Sequence, residues 1–331
     1  MTEKLTPKSQ TQPSKGSSIL KIVLQQRELT IFLSVLAFAA LLAFNSPNFL
    51  NRANLIALLV GLSFDMIVAV GMTVLMVSGG FDLSVGSVLA LAGAVAGYSI
   101  TKFGAPVWLG ILLGLLTGVV IGLVNGLLVT KIRVNPFIAT LGMMQVVRGI
   151  VFLLTSGLGI SNLPDSFNYF GQEKWFGLQV PVWIMLFLVI VGEILLRRWS
   201  FFRQSYFVGG NERSARLSGI NIDQVKIMNY IIVGIMAAIS GLLLAGRMGT
   251  ASVSAGLGAE LRVVSAVVIG GASLSGGEGS IVGALLGVIL LNLISNGLNL
   301  LGINVYWQNV VIGGVLIIAV AADSLSRRSK S

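Results

Sequence analysis

Long apolar runs separated by short polar breaks fill the chain from residue 29 onward. Crossing a bilayer as a helix takes about 20 apolar residues. That requirement places ten candidate spans, at 29–44, 53–78, 84–101, 106–130, 134–156, 180–196, 227–246, 260–276, 279–300 and 304–322. Several are short or glycine-interrupted, which predicts half-spans or re-entrant pieces shielded from lipid by protein. The expected fold class is therefore all-α: a polytopic membrane protein with about ten transmembrane helices. A polar tail at 1–28, rich in Ser, Lys and Gln, is expected to be disordered. It lacks an apolar core followed by a small-residue cleavage site, so no removable signal peptide is expected. One transmembrane domain follows at 29–322, then a short tail at 323–331.

The positive charges sit in the breaks. Lys4, Lys8, Lys15, Lys21 and Arg27 precede the first span, and Lys131 and Arg133 follow the fourth. Arg197, Arg198 and Arg203 follow the sixth, and Arg327, Arg328 and Lys330 close the chain. Ten spans with both termini in the cytoplasm put all four clusters inside, as the positive-inside rule requires. Residues 157–179 then fall outside, and Arg247 falls outside against the rule.

Composition narrows the chemistry. The chain is 55% hydrophobic and 10% charged, with 41 glycines among 331 residues. A soluble domain is nearer a quarter charged, and abundant glycine suits packed transmembrane helices. The net charge of +10 is gathered into orientation signals, so it does not point to nucleic acid. The sequence contains neither Cys nor His. That excludes disulfides and thiol catalysis and leaves no basis for a zinc site or a histidine triad. Glu212, Asp223 and Glu278 are scattered through loops and form no paired acid–base site, which argues against a membrane enzyme.

The longest interior break, 197–226, contains "GGNERSARLSGI" at 209–220. Asn211 can cap a helix that starts at Glu212. Glu212 suits the helix dipole, and Gly219 can end the helix in a left-handed conformation. About two turns are expected, with Arg213, Leu217 and Ile220 on one side and Glu212, Ala215, Arg216 and Gly219 on another. A helix this short is marginal in water, so it needs a partner. Lipid headgroups and another protein remain equal possibilities on these grounds.

Inside the spans, ionisable residues default to functional candidates. Asp65 and Arg148 are mid-span, and Glu193 and Glu260 lie near span ends. Asp65 and Arg148 could pair across helices or face a water-filled path; as coupling charges they would suit an autonomous ion-driven transporter. "SGGFDLSVGS" (78–87) breaks an apolar run, and Asp82 or Ser84 can cap the helix that follows. Its core, Gly-Gly-x-x-Leu-Ser-x-Gly at 79–86, recurs at 270–277, an offset of 191, hinting at an internal repeat. Membrane transporters often place a substrate path at repeat interfaces. Asn292, Asn296 and Asn299 form a polar stripe on the ninth span, and Asn125 and Gln145 add polar groups elsewhere. Such groups serve either a path for a hydroxyl-rich solute or interhelical hydrogen bonds. No Gly-x-x-x-x-Gly-Lys-Ser/Thr motif occurs, so any driving nucleotide must bind another subunit.

Six blocks in order resemble the permease subunits of ribose-type ABC importers, a family that also serves the furanosyl autoinducer, inositol, xylose and galactose. They are "SPNFLNRANLIALL" (46–59), "AVGMTVLMVSGGFDLSVGSVLALAGAVA" (69–96), "VNPFIATLGMMQVVRGI" (134–150), "GGNERSARLSGINIDQVK" (209–226), "VVIGGASLSGGEGSIVGALLG" (267–287) and "NGLNLLGINVYWQNVVIGGVLIIAV" (296–320). The resemblance implies a bacterial cytoplasmic-membrane subunit with no cofactor of its own. It further implies two cytoplasmic ATPase subunits carrying ATP and Mg, a solute-binding protein, and a second permease copy or a related permease. It also implies that Asn211, Glu212, Arg213, Ala215, Arg216 and Gly219 contact the ATPase, with Arg213 and Ser214 standing where many relatives carry Ala. Asp65, where many relatives carry a neutral polar residue, joins Asp82, Ser84, Asn125, Arg148, Asn292 and Asn296 as the candidate translocation path.

Overall fold

The computed structural model describes residues 27–304 and 306–328. Most of the expected 1–28 tail and the last three residues lie outside the described residues. Among the described residues, eight helices are long and apolar enough to cross a membrane. They are α1 (Arg27–Asn45), α2 (Arg52–Val77), α3 (Val85–Phe103), α4 (Val107–Thr130), α5 (Pro136–Thr155), α7 (Val180–Arg198), α10 (Ile222–Met248) and α12 (Ile281–Leu300). Shorter pieces complete the chain: α6 (Asp165–Gln172), α8 (Ser200–Gly210), α9 (Glu212–Leu217) and α11 (Ala259–Ile269). α13 (Tyr306–Arg328) ends it and runs past the expected limit at 322.

The expected span at 260–276 is a half-helix. α11 has 11 residues, about 16 Å at 1.5 Å per residue, too short to cross alone. Residues 249–258, which lead into it, are non-helical and turn repeatedly. Ala251 bridges to Ile160, and the Gly256 carbonyl lies against Gly86 at the start of α3.

Two other boundaries moved for local reasons. α10 begins at Ile222 rather than 227, because the Asn221 side chain accepts from the Gln224 amide and Asp223 sits in the first turn. The 157–179 segment holds α6 and a two-stranded hairpin, β1 (Lys174–Trp175) with β2 (Leu178–Gln179), neither visible as an apolar run.

α10 occupies the centre, packed on α2, α3 and α4. α4 shows why the chain needs its glycines. Gly110, Gly114, Gly118, Gly122 and Gly126 are buried, while Leu112, Leu116, Val120, Leu123 and Leu127 are exposed on the opposite side. Lipid is as apolar as leucine, so close backbone contact rather than hydrophobic burial joins the helices. A Cβ on Gly234 of α10 would lie 2.2 Å from the Gly118 carbonyl oxygen, and one on Gly118 would lie 2.3 Å from the Gly234 oxygen.

The repeated glycine segments meet in space. They form the α2–α3 and α11–α12 turns, and the Gly277 amide donates to the Val77 carbonyl at 2.8 Å. Both hairpins therefore turn at the same face, alongside α8. Arg247, an orientation exception, lies at the far end of α10 with its guanidinium 5.6 Å from the Phe64 ring centroid. Aromatic attraction at that range accommodates the charge.

Gly234→Val should cost at least about 1–3 kcal/mol through overpacking, because the obstructing atom is backbone. Thermal unfolding of the detergent-solubilised protein should show a lowered midpoint and a shrunken monodisperse peak. Gly142→Val, where nothing lies within 4 Å of the added carbon, should leave both unchanged.

Candidate functional site

α9 is a six-residue helix rather than two full turns. The Asn211 side chain accepts from the Ser214 amide at 3.0 Å, as the capping argument requires. Gly219 has φ +81, and its amide bonds the Arg216 carbonyl while that of Ile220 bonds Ala215. This is a Schellman ending, and it stops the helix at Leu217. Ala215 is the buried member of α9, packed with Val208, Ile220, Ile222 and Val225. Glu212 pairs with Lys226 on α10. Arg213, Arg216 and Leu217 are left projecting, and Leu217 is 83% exposed. A groove of about 420 Å³ runs beside the helix, lined by Phe207, Gly210, Asn211, Ser214 and Ser218 among others.

α8, which carries α9, is bolted to both glycine turns. A Cβ on Gly209 would lie 1.9 Å from the Val77 carbonyl oxygen and 2.6 Å from the Gly277 nitrogen. The Tyr206 hydroxyl donates to the Gly279 carbonyl at 2.7 Å. Burial, reinforced by the Glu193 carboxylate, pushes the Tyr206 phenol above its usual pKa, so it stays a donor. Glu193 accepts from the Ile281 amide at 2.9 Å and from Val282 at 3.3 Å, holding the start of α12. α8 went unseen in the sequence because its one apolar side is short and set among Ser, Gln, Arg and Gly.

Within the bundle, the predicted residues separate into groups. Asp82, Ser84 and Asn125 converge. Asp82 accepts from the Ser84 amide at 2.7 Å and the Ser84 hydroxyl at 2.6 Å. Asn125 donates to Asp82 at 3.1 Å and to Ser84 at 3.0 Å. Ser84 heads α3 but makes no side-chain cap bond, so Asp82 holds the turn instead.

Asp65 and Arg148 do not pair. Arg148 donates to the carbonyls of Val253 and Ala255 at 2.9 and 3.0 Å, tethering the non-helical stretch before α11. Asp65 faces Arg262 of α11 at 3.5 Å. Arg262 was missed in the sequence, although a cation two residues after Glu260 in "ELRVVSAVVIG" was the available signal. Asp65, Arg262 and Asn292 line one cavity of about 220 Å³. The rest of the polar stripe joins helices: Asn296 and Asn54 exchange bonds of 3.2 and 2.8 Å, and Asn299 accepts from Gln308 at 2.8 Å.

The chain therefore has a projecting capped helix at one face, joined through α8 to the paired glycine turns, and a polar cavity among the spans. Residues 54–320 match the family model described as "Branched-chain amino acid transport system / permease component". The chain belongs to this permease family. The permease is 42% identical over 299 residues to the ribose import permease protein RbsC of Bacillus subtilis, covering 90% of this chain and 92% of that one. It is 40% identical to RbsC of Escherichia coli K12, with coverage of 91% and 94%. Against the L-arabinose transport system permease protein AraH of the same strain it is 38% identical, with 86% of each chain covered. No solved structure matches the permease.

Asn125→Leu would strip a donor from the buried Asp82 carboxylate, at a cost of about 1–3 kcal/mol. The thermal midpoint in detergent should fall accordingly.

Proposed function

We propose that the permease is the membrane-spanning subunit of an ATP-driven importer that carries a monosaccharide or related polar solute across the bacterial cytoplasmic membrane. The observation that carries this reading is α9: a helix capped at both ends, anchored through one buried alanine, with Arg213, Arg216 and Leu217 presented outward. A projecting crest of one apolar and two cationic side chains suits insertion into a protein groove. The sugar-import names of the relatives support the solute class.

In this reading α9 faces the cytoplasm, together with Lys131, Arg197, Arg198 and Arg203, as the positive-inside rule favours. The hairpin and α6 face outward, where a solute-binding protein would dock. ATP and Mg reside on partner ATPase subunits, since this chain has no phosphate-binding loop. A second permease copy, or a related permease, completes the pore. Transport makes and breaks no bond in the solute. Nucleotide state must change the relative free energies of outward- and inward-facing forms. A push on α9 passes through α8 to Gly209 and Tyr206, and from them to the α2–α3 and α11–α12 turns.

Three substitutions test the coupling role. Gly219→Val forces a left-handed residue to carry a side chain, at roughly 1–2 kcal/mol. Glu212→Ala removes the tie to Lys226, and Leu217→Asp changes only a projecting side chain. Each should lower ATP-dependent uptake and co-purification of the ATPase while membrane insertion stays normal. Unchanged uptake together with unchanged co-purification in all three would defeat the assignment.

A further inference from the structure

The cavity between α2, α11, α12 and α13 contains an unusual inventory. Asp65 and Arg262 face each other at 3.5 Å, too long for a good hydrogen bond. Their side chains are only 18% and 35% exposed. An ion pair this shielded usually spends its remaining hydrogen-bonding capacity on protein groups, because desolvation is otherwise uncompensated. Among the described residues the side chains of Asp65 and Arg262 have no other bond.

The neighbouring polar side chains are also partly unspent. Asn292 commits its amide nitrogen to the Val288 carbonyl at 3.1 Å, which leaves its oxygen free. Gln308 commits its nitrogen to Asn299, leaving its oxygen free as well. The Ser295 hydroxyl faces the same space, and Leu291 supplies an apolar wall. The volume, about 220 Å³, is many times what one water requires.

We infer that this cavity is a solute-recognition subsite within the permease itself, built for a neutral polyhydroxylated molecule. This rests on the importer reading above. Charge balance excludes a net anion or cation, and the sugar-import names of the relatives favour a polyol over a zwitterion. Asp65 would repel an anion, and Arg262 would repel a cation, each from within hydrogen-bonding range. A neutral solute disturbs neither. Its adjacent hydroxyls can donate to the two Asp65 oxygens while the guanidinium donates to its ring or hydroxyl oxygens. The free oxygens of Asn292 and Gln308 accept further hydroxyls, and Leu291 meets a C–H face. Asp65 and Arg262 are thus specificity determinants, contributing discrimination after the binding protein has released its load.

The sequence has no cysteine, so Ser295→Cys introduces a unique reporter. In the complete complex in proteoliposomes, a small methanethiosulfonate reagent should label this site, and saturating D-ribose or L-arabinose should slow labelling several-fold. In parallel, transport of D-ribose and 2-deoxy-D-ribose is compared at saturating loaded binding protein. Asp65→Asn, and the charge-neutral double variant Asp65→Asn with Arg262→Gln, should cut discrimination between the two sugars about tenfold, the scale of one charged hydrogen bond. A merely structural strap between α2 and α11 would lower both sugars in equal proportion. ATP-dependent import without protection of the thiol, or with an unchanged sugar ratio, overturns the subsite and leaves the importer reading standing. Protection without ATP-dependent import keeps the subsite and overturns the importer. Neither protection nor import overturns both. If the Asp65 variants fail to fold, thiol protection alone decides.

Discussion

Backbone that leaves the helical path inside a bilayer must find its hydrogen bonds within the protein, because hydrocarbon offers none. Most of this architecture follows from meeting that demand at three places. The α2–α3 and α11–α12 turns satisfy it partly through each other: Gly277 bonds Val77, and Asp82 takes the Ser84 amide. The non-helical stretch before α11 satisfies it through Arg148, which closes the carbonyls of Val253 and Ala255, and through the bridge from Ala251 to Ile160. Each solution requires backbones to approach without side chains between them, which accounts for glycine at the contacts of α4, α8 and α10.

In the proposed mechanism the same constraint lets the molecule transmit motion. Loops that are exposed and solvated deform independently of what they connect. Turns buried in one another cannot. α8 touches both turns through Gly209 and one of them through the Tyr206 hydroxyl, and α9 continues from α8 with only Asn211 between them. Displacement of α9 is therefore shared among α2, α3, α11 and α12. The cavity holding Asp65 and Arg262 lies between α2 and α11, two helices whose ends enter those turns. Packed interiors respond to such loads by switching between arrangements rather than by bending continuously.

Charges in the spans illustrate how position alone misleads. Asp65 and Arg148 are both mid-span, which made them natural partners. Arg148 instead serves as a backbone clamp, a use open to a guanidinium because its several donors can reach two carbonyls at once. The asparagines on α12 likewise share a helix face but not a role. Asn296 and Asn299 are spent on neighbouring helices, and only Asn292 reaches the cavity.

Hydropathy by itself determined the class and located the eight long spans, because the energy of crossing a bilayer is set locally, residue by residue; it drew 260–276 as a span where the structure has a half-helix. The caps of α9 and its ending at Gly219 were equally legible, since they depend on side chains within four residues of the helix. The repeat was visible as a motif, but its meaning was not. Only tertiary structure decided that the two turns touch, that Arg262 rather than Arg148 meets Asp65, and that α8 locks both hairpins to α9. Those facts rest on contacts between residues dozens to nearly two hundred positions apart. Such contacts are chosen by the shape of glycine-lined helix faces, and one-dimensional hydropathy carries no record of it.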